Sequence, residues 1–168
     1  MLIRDAVPAD IPAILAIYND AVAHTTAVWN DTPADAQSRG AWMAARVVQG
    51  YPVLVADAGG RVLGYASFGD WRAFAGYRHT VEHSVYVHAD ARGRGVGRAL
   101  LAALVARARA AGKHVMVAAI EAGNAPSIHL HRSLGFEQTG LMPQVGCKFG
   151  RWLDLAFLQL RLDDRPAP

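Results

Sequence analysis

The sequence predicts a single-domain fold of mixed α/β class. Its length of 168 residues fits one hydrophobic core rather than two. Its composition, 52% hydrophobic and 18% charged, is too apolar for a disordered chain. Apolar runs of period 2 also alternate with segments of helical period along its length.

In chain order, Leu2 to Ala6 reads as a short strand. Asp10 then stands at an N-cap position before Ile11, Ile14, Leu15, Tyr18 and Val22 at helical spacing. Thr32-Pro33 opens a second helix running to about Val48, with Trp42 and Val47 expected in the core. Pro52 to Ala56 and Val62 to Phe68 are strand-like and flank Asp57-Ala58-Gly59-Gly60, a hairpin turn signal. Residues 69–80 show no period. Val81 to His88 returns to period 2, with Val81, Val85 and Val87 on one face and Glu82, Ser84 and Tyr86 on the other. A glycine-rich turn leads into a helix from about Arg98 to Ala111, with Gly112 at its end. His114 to Ile120 is an apolar strand, Ala125 to Leu134 a helix ended by Gly135, and Phe136 to Leu141 and Trp152 to Leu160 are closing strands. One domain is expected over residues 1–162, with residues 163–168 a loose tail.

The chain has 17 basic and 14 acidic residues, a net charge of +3. No acidic residue falls between Asp90 and Glu121, where Arg92, Arg94, Arg98, Arg107, Arg109 and Lys113 sit, so the remainder of the chain is net negative. An anionic ligand is expected there. These cations bracket a glycine turn instead of spreading over a face, so no nucleic-acid partner is expected. The single cysteine, Cys147, excludes an internal disulfide and a multi-cysteine metal site. His83 with His88, and His129 with His131, lack a third ligand, so no metal is expected. The first residues, MLIRDAVPADIPAIL, hold acids and a proline where a secretion signal needs a basic start and an unbroken apolar run. A cytoplasmic protein without a membrane partner is expected.

Gly93, Gly95 and Gly97 remove side chains that would keep a ligand from the backbone, and the next helix adds its positive end to the same spot. A diphosphate suits such a loop. The dinucleotide pattern fails because Arg98 stands where its last glycine belongs, and the P-loop pattern lacks Gly-Lys-Ser/Thr. The plainer reading is a tight turn with solvated arginines.

Arg92-Gly93-Arg94-Gly95-Val96-Gly97 after an extended strand resembles the Arg/Gln-x-x-Gly-x-Gly/Ala signature of the GCN5-related N-acetyltransferase (GNAT) superfamily. Residues 124–136, NAPSIHLHRSLGF, resemble the superfamily's Asn-x-x-Ala/Ser helix ending in Gly-Phe. Ile17-Tyr18-Asn19, residues 80–87, Leu130-His131 and residues 148–152 are similar to the phosphinothricin and methionine sulfoximine acetyltransferase branch. The resemblance spans about Ile3 to Leu160. It implies a strongly twisted mixed β-sheet flanked by helices, acetyl-coenzyme A as co-substrate and a homodimer. It also implies an N-acetyltransferase acting on the α-amine of a small amino-acid analogue. The other readings are a different acceptor amine, such as a protein N-terminus, polyamine or drug, and a nucleic-acid-binding module.

By that resemblance Arg92, Gly93, Arg94, Gly95, Val96, Gly97 and Arg98 hold the coenzyme diphosphate. The backbone of Val85, Tyr86 and Val87 runs beside the pantetheine, which Asn124 and Ser127 also contact; helix capping is the alternative for these last two. Acetyl transfer needs a neutral amine, a place for charge on the carbonyl oxygen and an exit for the thiolate. Glu82 is the only acidic residue between Asp70 and Asp90 and is the base candidate, unless it forms an ion pair with Arg72 or Arg78. His131 stands where many superfamily members carry a tyrosine near the coenzyme sulfur; it protonates the thiolate, relays a proton from the amine, or simply packs. The amine site is expected at Arg72, Ala73, Phe74, Glu82, His83 and Ser84, with Arg72 meeting a carboxylate or phosphinate. Phe68, Trp71, Phe74 and Tyr77 form either a pocket wall or core-packing or dimer contacts. Trp29, Lys148 and Phe149 join the pocket only through the family pattern.

Overall fold

The computed structural model describes residues 1–168. Seven strands form one mixed sheet: β1 (Leu2–Asp5), β2 (Val53–Ala58), β3 (Arg61–Asp70), β4 (Thr80–Val87), β5 (Val115–Glu121), β6 (Glu137–Lys148) and β7 (Arg151–Arg161), in the order β1-β2-β3-β4-β5-β7-β6. The helices are α1 (Ile11–His24), α2 (Ala36–Val48), α3 (Val96–Ala110) and α4 (Ala125–Arg132). This is the mixed α/β class read from the sequence. Every neighbouring pair is antiparallel except β4 and β5, which α3 connects as parallel pairing requires. No helix is long and apolar enough to cross a membrane.

Each face of the sheet buries its own core. Leu100, Leu101, Leu104 and Ala108 of α3 pack on Phe68, Val81, Met116, Ala118 and Leu158. On the opposite face Ile11, Ile14 and Ile17 of α1 and Met43 of α2 pack on Val53, Val55, Val62 and Tyr65. Leu104 has no solvent exposure, so Leu104→Ala should lower unfolding stability by about 2–5 kcal/mol in a denaturant titration.

Several elements differ from expectation for local reasons. Asp10 does not cap α1; its carboxylate accepts from Val7 N–H at 2.8 Å and from the Arg4 guanidinium at 2.7 and 2.9 Å, and Arg4 holds the carboxyl below its usual range. α2 begins at Ala36, because Asp35 caps it through Ser38 N–H at 2.7 Å. Val47 then points to solvent, 67% exposed, and Met43 takes the core position. β3 continues to Asp70 since Gly69 and Asp70 pair with Glu82 and Val81. The segment 163–168 is not uniformly loose: Asp163 bonds His114 Nδ1 at 2.7 Å and Arg165 donates to Gly112 O at 2.9 Å, leaving only residues 166–168 outside these contacts.

One departure from regularity positions the site. β4 and β5 pair only from Thr80·Val115 to Glu82·Val117, after which β5 stays with β7 and the two strands separate. Thr80 and His88 direct main-chain groups toward β3, bonding Trp71 N–H and Leu63 C=O. By the two-residue repeat, His83, Val85 and Val87 direct theirs into the wedge that opens between β4 and β5.

Candidate active site

At the end of β4 the chain turns through Arg92–Gly95 into α3. Gly93 and Gly95 adopt φ of +71° and +79°, which L side chains rarely adopt, and nothing lies within 4 Å of where a Cβ would stand on either. The left-handed Gly95 is the N-cap of α3, so the first-turn N–H groups face open space with the helix's positive end. Gly97 is small for another reason: a Cβ there would meet Leu130 at 3.3 Å and Val87 at 3.5 Å. The loop's arginines are not equivalent. Arg92 pairs with Asp20 of α1 at 3.2 Å, Arg98 donates to Ser133 Oγ at 2.7 Å, and Arg94 has no partner within the chain. Arg94 and the loop amides are free to meet an anion; in the wedge Val87 O accepts from Arg92 Nε at 3.4 Å, and the outward main-chain groups of Val85 remain to meet an amide chain. Those two features fit the diphosphate and pantetheine of coenzyme A. Tyr86 spends its main chain toward β3, and its ring packs against Tyr65 at 5.2 Å and Tyr18 at 6.1 Å.

Cα partners across a sheet share a face. Glu82 therefore shares one with Gly69 of β3 and Val117 of β5, and further across with Ala119 and its β7 partner Phe157. On this face α1 and α2 cover the β1–β3 end. Trp71 packs edge-on to Phe157 at 5.5 Å, and Arg72 stacks on the Trp71 ring at 4.4 Å. Glu82 itself is half-buried and makes no hydrogen bond or ion pair. Burial pushes its carboxyl up, and nearby Arg72 opposes that only in part. The ion pair considered for it is absent: Arg72 lies on Trp71, and Arg78 donates to Ala75 O at 3.2 Å.

His83 and His131 meet on the other face, stacked at 5.0 Å beside Phe136. His131 Nδ1 lies 2.7 Å from Ser127 O, which only accepts, so Nδ1 carries the proton. His131 Nε2 then accepts from His83 Nε2–H at 3.1 Å, which leaves His83 Nδ1 as a lone pair, buried and without a partner. Burial lowers both pKa values, that of His83 to about 3, with His131 adding to the effect on His83. Both rings are neutral. Both nitrogens of His131 are engaged, and the open proton-accepting atom of the pair is His83 Nδ1.

The structure thus gathers Arg72, Glu82 and Ser84 on one side of the sheet and places His83 with His131 on the other. Asn124 Oδ1 accepts from Ser127 N–H at 3.2 Å and caps α4. The aromatic run does not form one wall: Phe68 is 1% exposed in the α3 core, Trp71 meets Phe157, and Phe74 and Tyr77 are 78% and 44% exposed. Asp20, which engages Arg92 from 72 residues away, left no local signal in the sequence. The separation of His83 from Glu82 was visible in the period-2 pattern itself. No three histidine, cysteine or carboxylate side chains gather at metal-binding distance.

Residues 14–136 match the family model for the Acetyltransferase (GNAT) family. The L-methionine sulfoximine/L-methionine sulfone acetyltransferase of Pseudomonas paraeruginosa is 69% identical over 168 residues, covering 99% of this chain and 98% of that protein. The phosphinothricin N-acetyltransferase of Alcaligenes faecalis is 41% identical, covering 92% of this chain and 79% of its own. Among solved structures, a GNAT superfamily phosphinothricin acetyltransferase from Sinorhizobium meliloti in complex with acetyl-CoA superposes with TM-score 0.93 at 43% identity, covering 95% of this chain and 87% of that one.

Proposed function

This chain belongs to the GNAT acetyltransferase family, and from that premise we propose that it acetylates the α-amine of small amino-acid analogues. L-methionine sulfoximine, L-methionine sulfone and phosphinothricin are the substrates proposed, and the activity detoxifies inhibitors of glutamine synthetase. The observation that carries this reading is Glu82, a half-buried carboxylate with no partner, beside the wedge and near a single arginine, Arg72. The names of similar proteins support the acceptor class.

When bound, acetyl-CoA supplies an acetyl group activated as a thioester, with the coenzyme thiolate as its leaving group. The amides of residues 93–98 and Arg94 hold the diphosphate, and Val85, Val87, Asn124 and Ser127 hold the pantetheine. Arg72 takes the acceptor's carboxylate, which brings its amine toward Glu82. Glu82 Oε accepts the amine proton, and its raised pKa narrows the gap to an ammonium. On the opposite face, His131 can give a proton from Nε2 only after the pair takes one up at His83 Nδ1. The acid limb of kcat/KM should accordingly fall through an ionisation above the ordinary carboxylate value; a limb at or below that value would remove Glu82 from the role.

Free-thiol release from acetyl-CoA across an amine panel tests the substrate. Turnover on the sulfoximine or sulfone is expected, and none on all three analogues would sink the assignment. Turnover confined to polyamines or peptide N-termini would favour the other acceptors. Five of the six cations in the basic segment are bonded within the chain, including Arg107 to Asp5, Arg109 to Leu162 O and Lys113 to Arg78 O, which supports a coenzyme over a nucleic acid. The free edge of β6, with Leu141, Met142 and Val145 about half exposed, and Trp152 of the neighbouring β7 at 69%, support a homodimer. The unpaired thiol of Cys147 suits the cytoplasm.

A further inference from the structure

Lys148, at the end of β6, is 3% exposed. Its ammonium donates to Val22 O at 2.6 Å, Thr25 O at 2.7 Å and Val28 O at 2.6 Å. An ammonium has three N–H donors, so all are spent on backbone carbonyls and none remains for a substrate or a proton transfer. Two of these carbonyls belong to the end of α1, where helix carbonyls lack intrahelical partners and a cation is favoured.

The loop that follows α1 is tied down from other sides as well. Thr26 Oγ1 donates to Glu121 Oε2 at 3.1 Å, at the end of β5, and Trp29 Nε1–H donates to Thr26 O at 2.9 Å. The Trp29 ring lies over Gly146 of β6, where an added Cβ would stand 2.1 Å from ring carbon Cε3. Asn19 bonds Ala34 through both its amide groups, at 2.9 and 3.0 Å. Residues 25–34 are therefore a strap from α1 to the ends of β5 and β6. By strand pairing, Glu121, Gly146 and Lys148 share the face that carries Glu82 and Phe157.

We propose that Lys148 is a positioning residue that fixes this strap as the wall of the amine site opposite Trp71 and Arg72, and so sets affinity for the amine and not for the coenzyme. The inference rests on the acceptor site lying on the Glu82 face. Lys148→Met keeps much of the side chain's length and apolar bulk but removes all three donors. The KM for the amine should rise about tenfold or more, with the KM for acetyl-CoA within about twofold and kcat within about threefold. Gly146→Ala displaces Trp29 from the opposite side without touching Lys148, and should give the same split; it keeps the test intact if Lys148→Met fails to fold.

The measurement uses whichever amine of the panel the unaltered protein acetylates. No turnover by the unaltered protein would refute the acceptor reading itself. Turnover by the unaltered protein together with an unchanged amine KM in the folded variants would overturn the strap alone. So would a parallel rise of both KM values, which marks general loosening.

Discussion

Replacing Glu82 by glutamine should lower kcat by about 10²- to 10⁴-fold, the usual contribution of a positioned base, while acetyl-CoA binds within about twofold of its original affinity. The separation is expected because the anion loop is built from residues 92–98 and α3, and Glu82 touches neither. A second signature distinguishes a base from a packing residue. Burial raises the Glu82 carboxyl in the folded chain, so its charged form opposes folding once pH exceeds the unfolded value. The favourable balance is complete below the unfolded pKa and is lost as pH rises through the folded one. Glu82→Gln should therefore melt at a higher temperature than the unaltered protein at pH 7, and the gain should shrink as pH falls through the folded value and vanish about one unit below the ordinary glutamate pKa of about 4.3, where the carboxyl is protonated in both states. Equal kcat, or a lower Tm at pH 7, would exclude the role.

Gly95→Val should weaken acetyl-CoA binding with much less effect on the pH profile of the chemistry. At φ +79° a side chain-bearing residue costs about 1–2 kcal/mol, or about 5- to 30-fold in affinity if the loop escapes the strain by leaving its binding shape. A valine should exceed that, since its branched Cβ projects into the space a diphosphate must enter. Asparagine tolerates the left-handed region better, so Gly95→Asn should be the milder variant if backbone strain dominates. Calorimetric titration with acetyl-CoA reads both, and unchanged affinity in the valine variant would place the anion elsewhere.

Much of this was legible along the chain, and the failures have a common cause. Period 2 in Val81 to His88 and the turn glycines at 93 and 95 are local signals, and the structure places both as the sequence read them, whereas Gly97 lies inside α3 and is small because Leu130 and Val87 pack against it. The turn at Gly59-Gly60 likewise follows from two residues with positive φ. What the sequence hid depends on distant partners. Lys148 reads as one more charge until its ammonium is seen beneath α1, more than 100 residues away in sequence. Val47 was expected inside because it is apolar, yet the cap at Asp35 sets the helix so that Met43 turns inward. β6 outruns its apolar pattern because β7 pairs with it through two register shifts.

The sheet in this protein is also a partition. Consecutive residues of a strand cannot point the same way, so Glu82 and His83 open onto separate compartments that communicate through the wedge beyond Glu82·Val117. An amine approaching Glu82 and a sulfur leaving toward His83 and His131 would never compete for one cavity, and each could be reshaped by changes in its own bordering loops. The arrangement is nonetheless brittle in one respect. Inserting or deleting a single residue in the first half of β4 would carry the carboxylate to the histidine side and a histidine to the amine side, exchanging the two chemistries without altering one side chain.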